Sequence, residues 1–206
     1  MKKPKIIGIY LAAGKSSRMG KSKLDLPVGN LSLGSKALQE ALRSDFDFTI
    51  VISREGDLLK WLFPFATKGG WGYLKCKDEN IGQSISIKAG LKVAMNCRAD
   101  AVVILLADQP FVTSDGINRL ITEFKGNSEV AFVASTNIGV IKPPILFAKS
   151  LFFELQSLEG DKGARSLLRG KWKKQGKKLE YEHKYFIDVD TCEDYSIILK
   201  GLEGSM

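Results

Sequence analysis

Residues 11–23, LAAGKSSRMGKSK, have the composition of a loop that binds phosphate groups. Glycines let the backbone approach an anion closely, and basic side chains supply the opposite charge. The stretch departs from a P-loop, because Gly14 and Gly20 enclose five residues where that motif has four. Its basic residues are Lys15, Arg18, Lys21 and Lys23. The pattern predicts a polyphosphate ligand, and an ordinary turn with solvated lysines is the alternative.

Three aspartates have the chemistry of magnesium ligands. Asp108 follows the apolar run 101–107 in LLADQP, and Asp188 and Asp190 alternate in DVDT. Mg²⁺ in nucleotide sites takes one or two carboxylates plus substrate phosphates. A strand through DVDT would put both of its aspartates on one face, where they complete a metal site if the fold brings them near Asp108. The alternative is that Asp108 caps a turn and that Asp188 and Asp190 lie on an exposed strand end before a helix cap.

The sequence lacks the residue combinations that several other classes of site and reaction require. His183 is the lone histidine, and Cys76, Cys97 and Cys192 are scattered without a CxxC pair. A zinc site, a disulfide framework and histidine-dependent nucleophilic catalysis are therefore not expected. The longest apolar run without charge is much shorter than a membrane span, and no signal-peptide cleavage pattern follows it, so we expect a cytoplasmic protein.

Positive charge is concentrated in residues 160–184, which have nine Lys or Arg and three acids. This segment accounts for +6 of the net charge of +8. Because no DNA-binding or RNA-binding motif accompanies it, a solvated surface is the preferred interpretation and a nucleic-acid partner is not expected.

The elements that must position these residues alternate between strands and helices. Continuous apolar runs at residues 6–11, around Ile50 and at 101–107 are typical of parallel strands covered on both faces. Helical patterns lie between them at residues 35–43 and 83–96. A third helical pattern begins after Thr113 or Ser114, either of which could be its N-cap. We predict an α/β fold with a Rossmann-like, doubly wound, mostly parallel sheet and helices on both faces.

The pattern is less regular after residue 134. We expect a helix near residues 149–158, a strand at YFIDV, and a last helix that begins with a capping box of Thr191 and Asp194. The whole chain, 1–206, is expected to form one domain.

Several blocks together resemble the nucleotidyltransferases that act on molybdopterin. LAAGKSSRMGKSK is similar to that family's LAAGxSxRMGxxK signature, which accounts for the extra residue between the glycines. The resemblance continues through GQSIS, LLADQP, PPILF, GDKGAR and DVDTCEDY, in the expected order over nearly the whole chain. GDKGAR and PPILF point to the molybdenum cofactor cytidylyltransferase branch.

The resemblance implies that a substrate phosphate attacks the α-phosphate of an NTP and that pyrophosphate leaves. Such transfers need positioning and charge neutralisation more than a protein nucleophile, which suits Arg18 and Lys23 acting with Mg²⁺. By resemblance Asp108 holds Mg²⁺, with Asp190 as the favoured second ligand and Asp188 next.

The nucleotide is expected to bind the N-terminal part of the chain, about 1–110. By resemblance its contacts include the loop and the second block, at Leu11, Ala12, Ala13, Gly14, Arg18, Lys23, Gly82, Ser84 and Asp108. LAAG accompanies cytidine in this family and LAGG accompanies guanosine, so Ala13 favours CTP. One methyl group discriminates only modestly.

The acceptor is expected to bind the C-terminal part, about 111–206, whose basic charge suits a phosphorylated pterin. Asp161 and Arg165 of GDKGAR are the candidate contacts, and a structural ion pair between them is an equal alternative. The chain departs from the family at Cys192, where a proline is usual, and at KPPILF, where a glycine commonly precedes one proline.

Three functions therefore remain open at this point. The first is transfer of CMP from CTP to molybdopterin, with a molybdoenzyme or its chaperone as a further partner. The second is a transferase of the same fold with GTP, another NTP or a sugar-phosphate acceptor. The third is a non-catalytic carrier or chaperone of the finished molybdenum cofactor.

Overall fold

A seven-stranded sheet organises the chain in this computed structural model, which describes residues 3–14, 22–77, 82–127, 129–169 and 171–203. The strands of the sheet, in spatial order, are β5 (Trp71–Cys76), β4 (Phe48–Arg54), β1 (Ile6–Leu11), β6 (Ala101–Leu106), β8 (Val140–Ala148), β7 (Phe132–Asn137) and β9 (Gly176–Glu180). A two-stranded ribbon, β2 (Pro27–Val28) with β3 (Leu31–Ser32), lies apart from this sheet.

The sheet is mostly parallel, as the sequence predicts. β5, β4, β1 and β6 run parallel to one another, and β9 runs parallel to β7. β8 is antiparallel to both of its neighbours, β6 and β7. The two central strands, β1 and β6, consist almost entirely of buried apolar residues because both of their faces are covered.

Helices cover both faces of the sheet, which confirms the doubly wound prediction. One core layer contains the apolar faces of α1 (Leu33–Arg43) and α3 (Ser114–Gly126). The opposite layer contains α2 (Gln83–Asn96) and α4 (Phe152–Gln156), and α5 (Cys192–Glu203) is the last helix. None of the helices in the described ranges is long and apolar enough to cross a membrane.

Local signals in the sequence locate several helix boundaries correctly. α2 spans the predicted residues, and the Thr113 side chain accepts a hydrogen bond from the Gly116 N–H at the start of α3. The predicted capping box precedes α5, where Thr191 Oγ1 accepts from the Asp194 N–H and Asp194 Oδ2 accepts from the Thr191 N–H. These local hydrogen bonds satisfy amide groups that the first helical turn leaves without partners.

The predicted strand at YFIDV is wrong. His183–Phe186 form a 3₁₀ helix, and residues 187–190 cross the end of the sheet without joining it. Burial of Phe186 and Val189 explains the apolar pattern, since both side chains belong to core clusters although neither lies in a strand. Apolar periodicity in so short a stretch does not distinguish a strand from a buried crossing segment.

The predicted helix at 149–158 is shorter than expected. A 3₁₀ turn at Lys149–Leu151 leads into α4, which ends at Gln156. Leu151, Phe152 and Leu155 are buried, so packing explains the helical spacing although only one and a half turns are α-helical.

Candidate functional site

Two cavities adjoin at the carboxyl ends of β1 and β6, the edge at which open α/β sheets bind ligands. We call the first the loop cavity; it has a volume of about 310 Å³. Its lining residues are Leu11, Ala12, Ala13, Gly14, Lys23, Leu24, Gln83, Ser86, Leu106, Ala107, Asp108 and Asp161. Leu11 and Leu106 are paired in the sheet, so the two strand ends together form one wall of this cavity.

The second cavity, which we call the charged cavity, has a volume of about 260 Å³. It is lined by Gln83, Ile104, Leu106, Asp108, Gln109, Lys142, Pro143, Ile145, Asp161, Gly163, Ala164, Arg165, Asp188 and Asp190. Gln83, Leu106, Asp108 and Asp161 line both cavities. Two ligands bound in the two cavities would therefore meet beside Asp108.

Lys23 joins two of the predicted metal ligands, Asp108 and Asp190. Its Nζ donates to Asp108 Oδ2 at 2.8 Å, to Asp190 Oδ1 at 2.9 Å and to the Val189 carbonyl at 2.9 Å. Burial by itself would lower the pKa of Lys23, but the charges of Asp108 and Asp190 and the hydrogen bonds to them outweigh it and raise the pKa. Lys23 is thus a buried, charged ammonium in contact with two carboxylates.

Asp188, the third predicted metal ligand, is held by a different residue, Gln109. Asp188 Oδ1 accepts a hydrogen bond from Gln109 Nε2 at 2.9 Å. Burial raises the pKa of Asp188, and the negative charge of Asp108 raises it further, although Gln109 and Lys142 act in the opposite direction. Asp188 is therefore a carboxylate whose ionised form is disfavoured mainly by burial and secondarily by the neighbouring carboxylate of Asp108.

Residues 187–190 bring the late aspartates to the end of β6 without forming a strand. The Val189 N–H donates to the Asp108 carbonyl at 3.0 Å, and the Val189 carbonyl accepts from Lys23. The Val189 side chain is fully buried, so Asp188 and Asp190 are held on either side of an anchored residue. The fold therefore meets the condition on which the metal-site hypothesis depended, that both aspartates lie near Asp108, although a crossing segment and not a strand brings them there.

The carboxylates of Asp108 and Asp190 could supply part of the coordination shell of a divalent metal, with waters and substrate phosphates as its other ligands. Nowhere in the described ranges are three His, Cys, Asp or Glu side chains arranged to hold a metal ion by themselves. Mg²⁺ typically retains several coordinated waters and binds only one or two carboxylates together with substrate phosphates. The pair Asp108 and Asp190 matches that number of carboxylates. A bound cation would also favour the ionised form of Asp188, which burial and the nearby carboxylate of Asp108 disfavour.

The GQSIS block has a structural contact that the sequence did not predict. Ser84 is 1% exposed, and its Oγ donates to the Gly160 carbonyl at 2.6 Å. At Gly82 an added Cβ would lie 2.2 Å from that same carbonyl oxygen. Glycine at 82 and serine at 84 thus join the start of α2 to the GDKGAR segment, while Gln83 and Ser86 of the same helix line the loop cavity.

Asp161 and Arg165 lie beside the charged cavity without pairing. Both line its wall, and no ion pair joins these two residues, which both belong to the described ranges. The ion pair that the sequence left as an alternative is therefore not formed between these two residues. Their predicted role in binding an acceptor stays a prediction.

Sequence reasoning overlooked two polar residues of the charged cavity. Gln109 lies within the quoted LLADQP block, where its position next to Asp108 was the available signal. Lys142 lies within KPPILF, whose departure from the family pattern was noted without a role for the lysine.

Among the predicted loop residues, Arg18, Lys15, Lys21 and Gly20 lie outside the described residues.

Comparison with known proteins identifies the family to which these motifs belong. The MobA-like NTP transferase domain matches residues 8–179. The chain is 36% identical over 210 residues to the purine catabolism protein PucB of Bacillus subtilis (strain 168), covering 98% of this chain and 100% of PucB. It is 30% identical over 120 residues to a molybdenum cofactor guanylyltransferase of Rhodobacter capsulatus, covering 56% of this chain and 57% of that protein.

Solved structures share the whole fold. The homologue of Mycobacterium tuberculosis Rv0371c from Mycobacterium sp. strain JC1 superimposes with a TM-score of 0.82 at 27% identity, covering 98% of both chains. The manganese complex of Rv0371c from M. tuberculosis superimposes with a TM-score of 0.77 at 24% identity, covering 95% of this chain and 98% of that one. With the domain match over most of its length, the chain belongs to the MobA-like NTP transferase family and is a nucleotidyltransferase.

Proposed function

We propose that this nucleotidyltransferase transfers CMP from CTP to the phosphate of molybdopterin and releases pyrophosphate. The observation that carries the proposal is the meeting of two cavities at Asp108, one lined by residues 11–14 and Lys23 of the signature stretch and one lined by charged side chains. A group transferred from one ligand to another needs two adjoining binding sites with the reacting atoms between them.

The loop cavity is the proposed CTP site. Ala12 and Ala13 are almost fully buried in its wall, so they offer shape and backbone groups to a base and sugar. An added Cβ at Gly14 would have no atom of the described residues within 4 Å, so none of those residues fills the space beside it. Ala13 supports cytidine, and GTP is the competing nucleotide because the related R. capsulatus protein is a guanylyltransferase.

The triphosphate is proposed to lie along the signature loop toward Asp108. Arg18 and Lys23 would neutralise its charge, and Leu11 and Gly14 would contact it or the sugar through backbone groups. Gly82 and Ser84 would support this site through the position of α2, which they fix against Gly160.

The proposed metal is Mg²⁺, held by Asp108 and Asp190, with Asp188 as the alternative to Asp190. A bound Mg²⁺ would stabilise negative charge that develops at the α-phosphate and on departing pyrophosphate. Lys23 already holds the same two carboxylates in place, so their orientation is set before any ligand arrives.

The charged cavity is the proposed acceptor site. Asp161 and Arg165 lie in its wall on the GDKGAR segment, where Arg165 is exposed and able to reach an anion. The name of the guanylyltransferase relative supports the molybdenum cofactor as the acceptor class. Within a single domain, about residues 1–110 would then supply most of the nucleotide site and about 111–206 most of the acceptor site, although Asp108 and Asp161 line both cavities. The proposal also includes a cytoplasmic location and a molybdoenzyme or its chaperone as a partner.

The proposal is tested by measuring pyrophosphate release from CTP, GTP and ATP in turn, with molybdopterin and Mg²⁺. CTP is expected to support the highest kcat/KM, with GTP lower by about tenfold because the discrimination depends on few contacts. A glucose 1-phosphate control tests the sugar-phosphate alternative in the same assay.

Each alternative gives a different result in that assay. A higher kcat/KM with GTP than with CTP would identify GTP as the nucleotide substrate. Pyrophosphate release with glucose 1-phosphate but not with molybdopterin would identify a sugar phosphate as the acceptor. Binding of the finished pterin dinucleotide without any pyrophosphate release would identify a carrier and contradict the enzymatic proposal.

A further inference from the structure

Lys142 is a cation of the charged cavity that the transfer reaction itself does not explain. It lies in β8 and lines the cavity, and its Nζ is 5.9 Å from the centre of the Phe186 ring. In the described part of the chain, no carboxylate lies within the 4.0 Å ion-pair distance of Lys142. A partly buried cation that contacts an aromatic face and no carboxylate is available to a ligand.

An irregularity in the sheet places this lysine at the cavity. Ala134 pairs with Ile145 and the next residue, Ser135, pairs with Lys142, so Pro143 and Pro144 have no counterparts in β7. A bulge of this kind bends a strand and redirects its side chains. Lys142, Pro143 and Ile145 all contribute to the cavity wall, so the lysine is attached to the sheet and is not carried on a long loop.

The charge of the cavity explains what Lys142 can do. Four carboxylates line it, and Lys23 contacts two of them. A phosphate monoester that approaches Asp108 meets like charge at short range, whereas an uncharged hydroxyl does not. Lys142 and the exposed Arg165 are the two cations in the wall that can offset this repulsion from the acceptor side.

We propose that Lys142 binds the phosphate of the acceptor and makes the site selective for phosphorylated acceptors over their hydroxyl counterparts. This inference rests on the proposed function in one respect, that the acceptor enters the charged cavity. Lys142 is a specificity residue in this account, and it holds the attacking phosphate beside Asp108 while the nucleotide occupies the loop cavity.

The test compares two probes, a pterin that carries a phosphate monoester and the same pterin with a free hydroxyl. Dissociation constants are measured for the wild type, K142Q, K142R and K149Q. Lys149 is a matched control because it follows the other end of β8, is exposed and lies outside both cavities.

The wild type is expected to bind the phosphorylated probe more tightly than the hydroxyl probe. K142Q should weaken binding of the phosphorylated probe by about 10- to 100-fold, the value of one charge-assisted hydrogen bond, and should leave the hydroxyl probe within about twofold. K142R should keep most of the preference, and K149Q should match the wild type. In turnover, K142Q should raise the KM for the acceptor and leave the KM for CTP unchanged.

Two results would overturn the inference: a wild type with no preference between the probes, or a K142Q protein that weakens both probes equally. Failure of the proposed function has a different signature. If CTP and molybdopterin give no pyrophosphate but K142Q still abolishes the preference for the phosphorylated probe, the transfer assignment fails and the role of Lys142 stands.

Discussion

The two cavities that adjoin at Asp108 are built in different ways. One wall of the loop cavity is a contiguous stretch, residues 11–14, of small or apolar residues at the end of a buried strand. The charged cavity is assembled from the end of β6, the bulge of β8, residues 161–165 and the crossing segment 187–190. The first offers mainly backbone groups and shape, with charge from Lys23, Asp108 and Asp161. The second offers four carboxylates, two of them shared with the first, and the two cations Lys142 and Arg165.

This difference indicates how each cavity discriminates between ligands. Shape and backbone contacts distinguish one base from another by small free-energy differences. Fixed charges in a partly buried cavity distinguish anionic from neutral ligands by larger differences, because the surrounding solvent screens them incompletely. We therefore expect selection of the nucleotide to be modest and selection of the acceptor's charge to be stronger.

The largest effect is expected at the residue that both cavities share. D108N keeps the size of the side chain but removes the carboxylate that contacts Lys23 and would bind Mg²⁺, so kcat should fall by at least about 10³-fold. The fold should persist because Lys23 retains Asp190 and the Val189 carbonyl. Pyrophosphate release and a thermal melt measure the two quantities, and a variant with more than a tenth of wild-type activity would contradict the assignment of Asp108.

A smaller effect, on both cavities at once, is expected at the junction of α2 and the GDKGAR segment. In G82A the new methyl group would overlap the Gly160 carbonyl, which should cost about 1–3 kcal/mol of unfolding free energy. Because Asp161 follows directly and lines both cavities, the KM values for nucleotide and acceptor should both rise.

Gly126 provides the matched control for that substitution. It lies at the end of α3, and an added Cβ there would meet no atom within 4 Å. G126A should change the unfolding free energy by less than about 0.5 kcal/mol and leave both KM values unchanged. Equal denaturation midpoints for G82A and G126A would show that Gly82 is not required at this junction.

The smallest effect is a pH dependence confined to the charged cavity. The folded protein raises the pKa of Asp188, so it binds a proton more readily than the unfolded chain does. Stability should therefore fall as pH rises from the ordinary aspartate pKa through the folded value, and the loss should persist at higher pH.

D188N removes this charge and tests the sign of the effect. Without added metal, it should melt at a higher temperature than the wild type near neutral pH, where each kcal/mol is worth about 2–4 °C for a chain of this length. The difference should shrink on acidification, since Asp188 in the wild type then becomes neutral. A lower melting temperature for D188N at neutral pH would mean that its carboxylate stabilises the fold.

The same contrast between the cavities explains what could be predicted from the sequence. The buried strands β1, β4 and β6 are continuous apolar runs, and α2 and α3 have clear periodicity or caps, so the parallel half of the sheet was predictable. The ends of those strands also located Asp108 and the signature loop at one edge of the sheet. Local patterns were sufficient because each of these elements is contiguous.

The charged cavity depends on contacts between distant residues, which no local pattern encodes. Lys23 meets Asp190 across 167 positions of sequence, and Gln109 meets Asp188 across 79. The polar edge strand β9, GKKLE, lacks an apolar run because only one neighbour pairs with it. Lys142 reaches the cavity because β8 bulges where it pairs with β7. The KPPILF motif alone does not reveal that pairing.

The central claim is that CMP passes from a nucleotide in the loop cavity to a phosphate in the charged cavity. It is tested most directly by incubating the protein with Mg²⁺, molybdopterin and CTP labelled at the α-phosphate, and then separating the products. We predict that the label appears in a pterin dinucleotide in equal amount with unlabelled pyrophosphate, and that D108N produces neither. Label recovered only as CTP or as free CMP, with no labelled pterin product, would contradict the account.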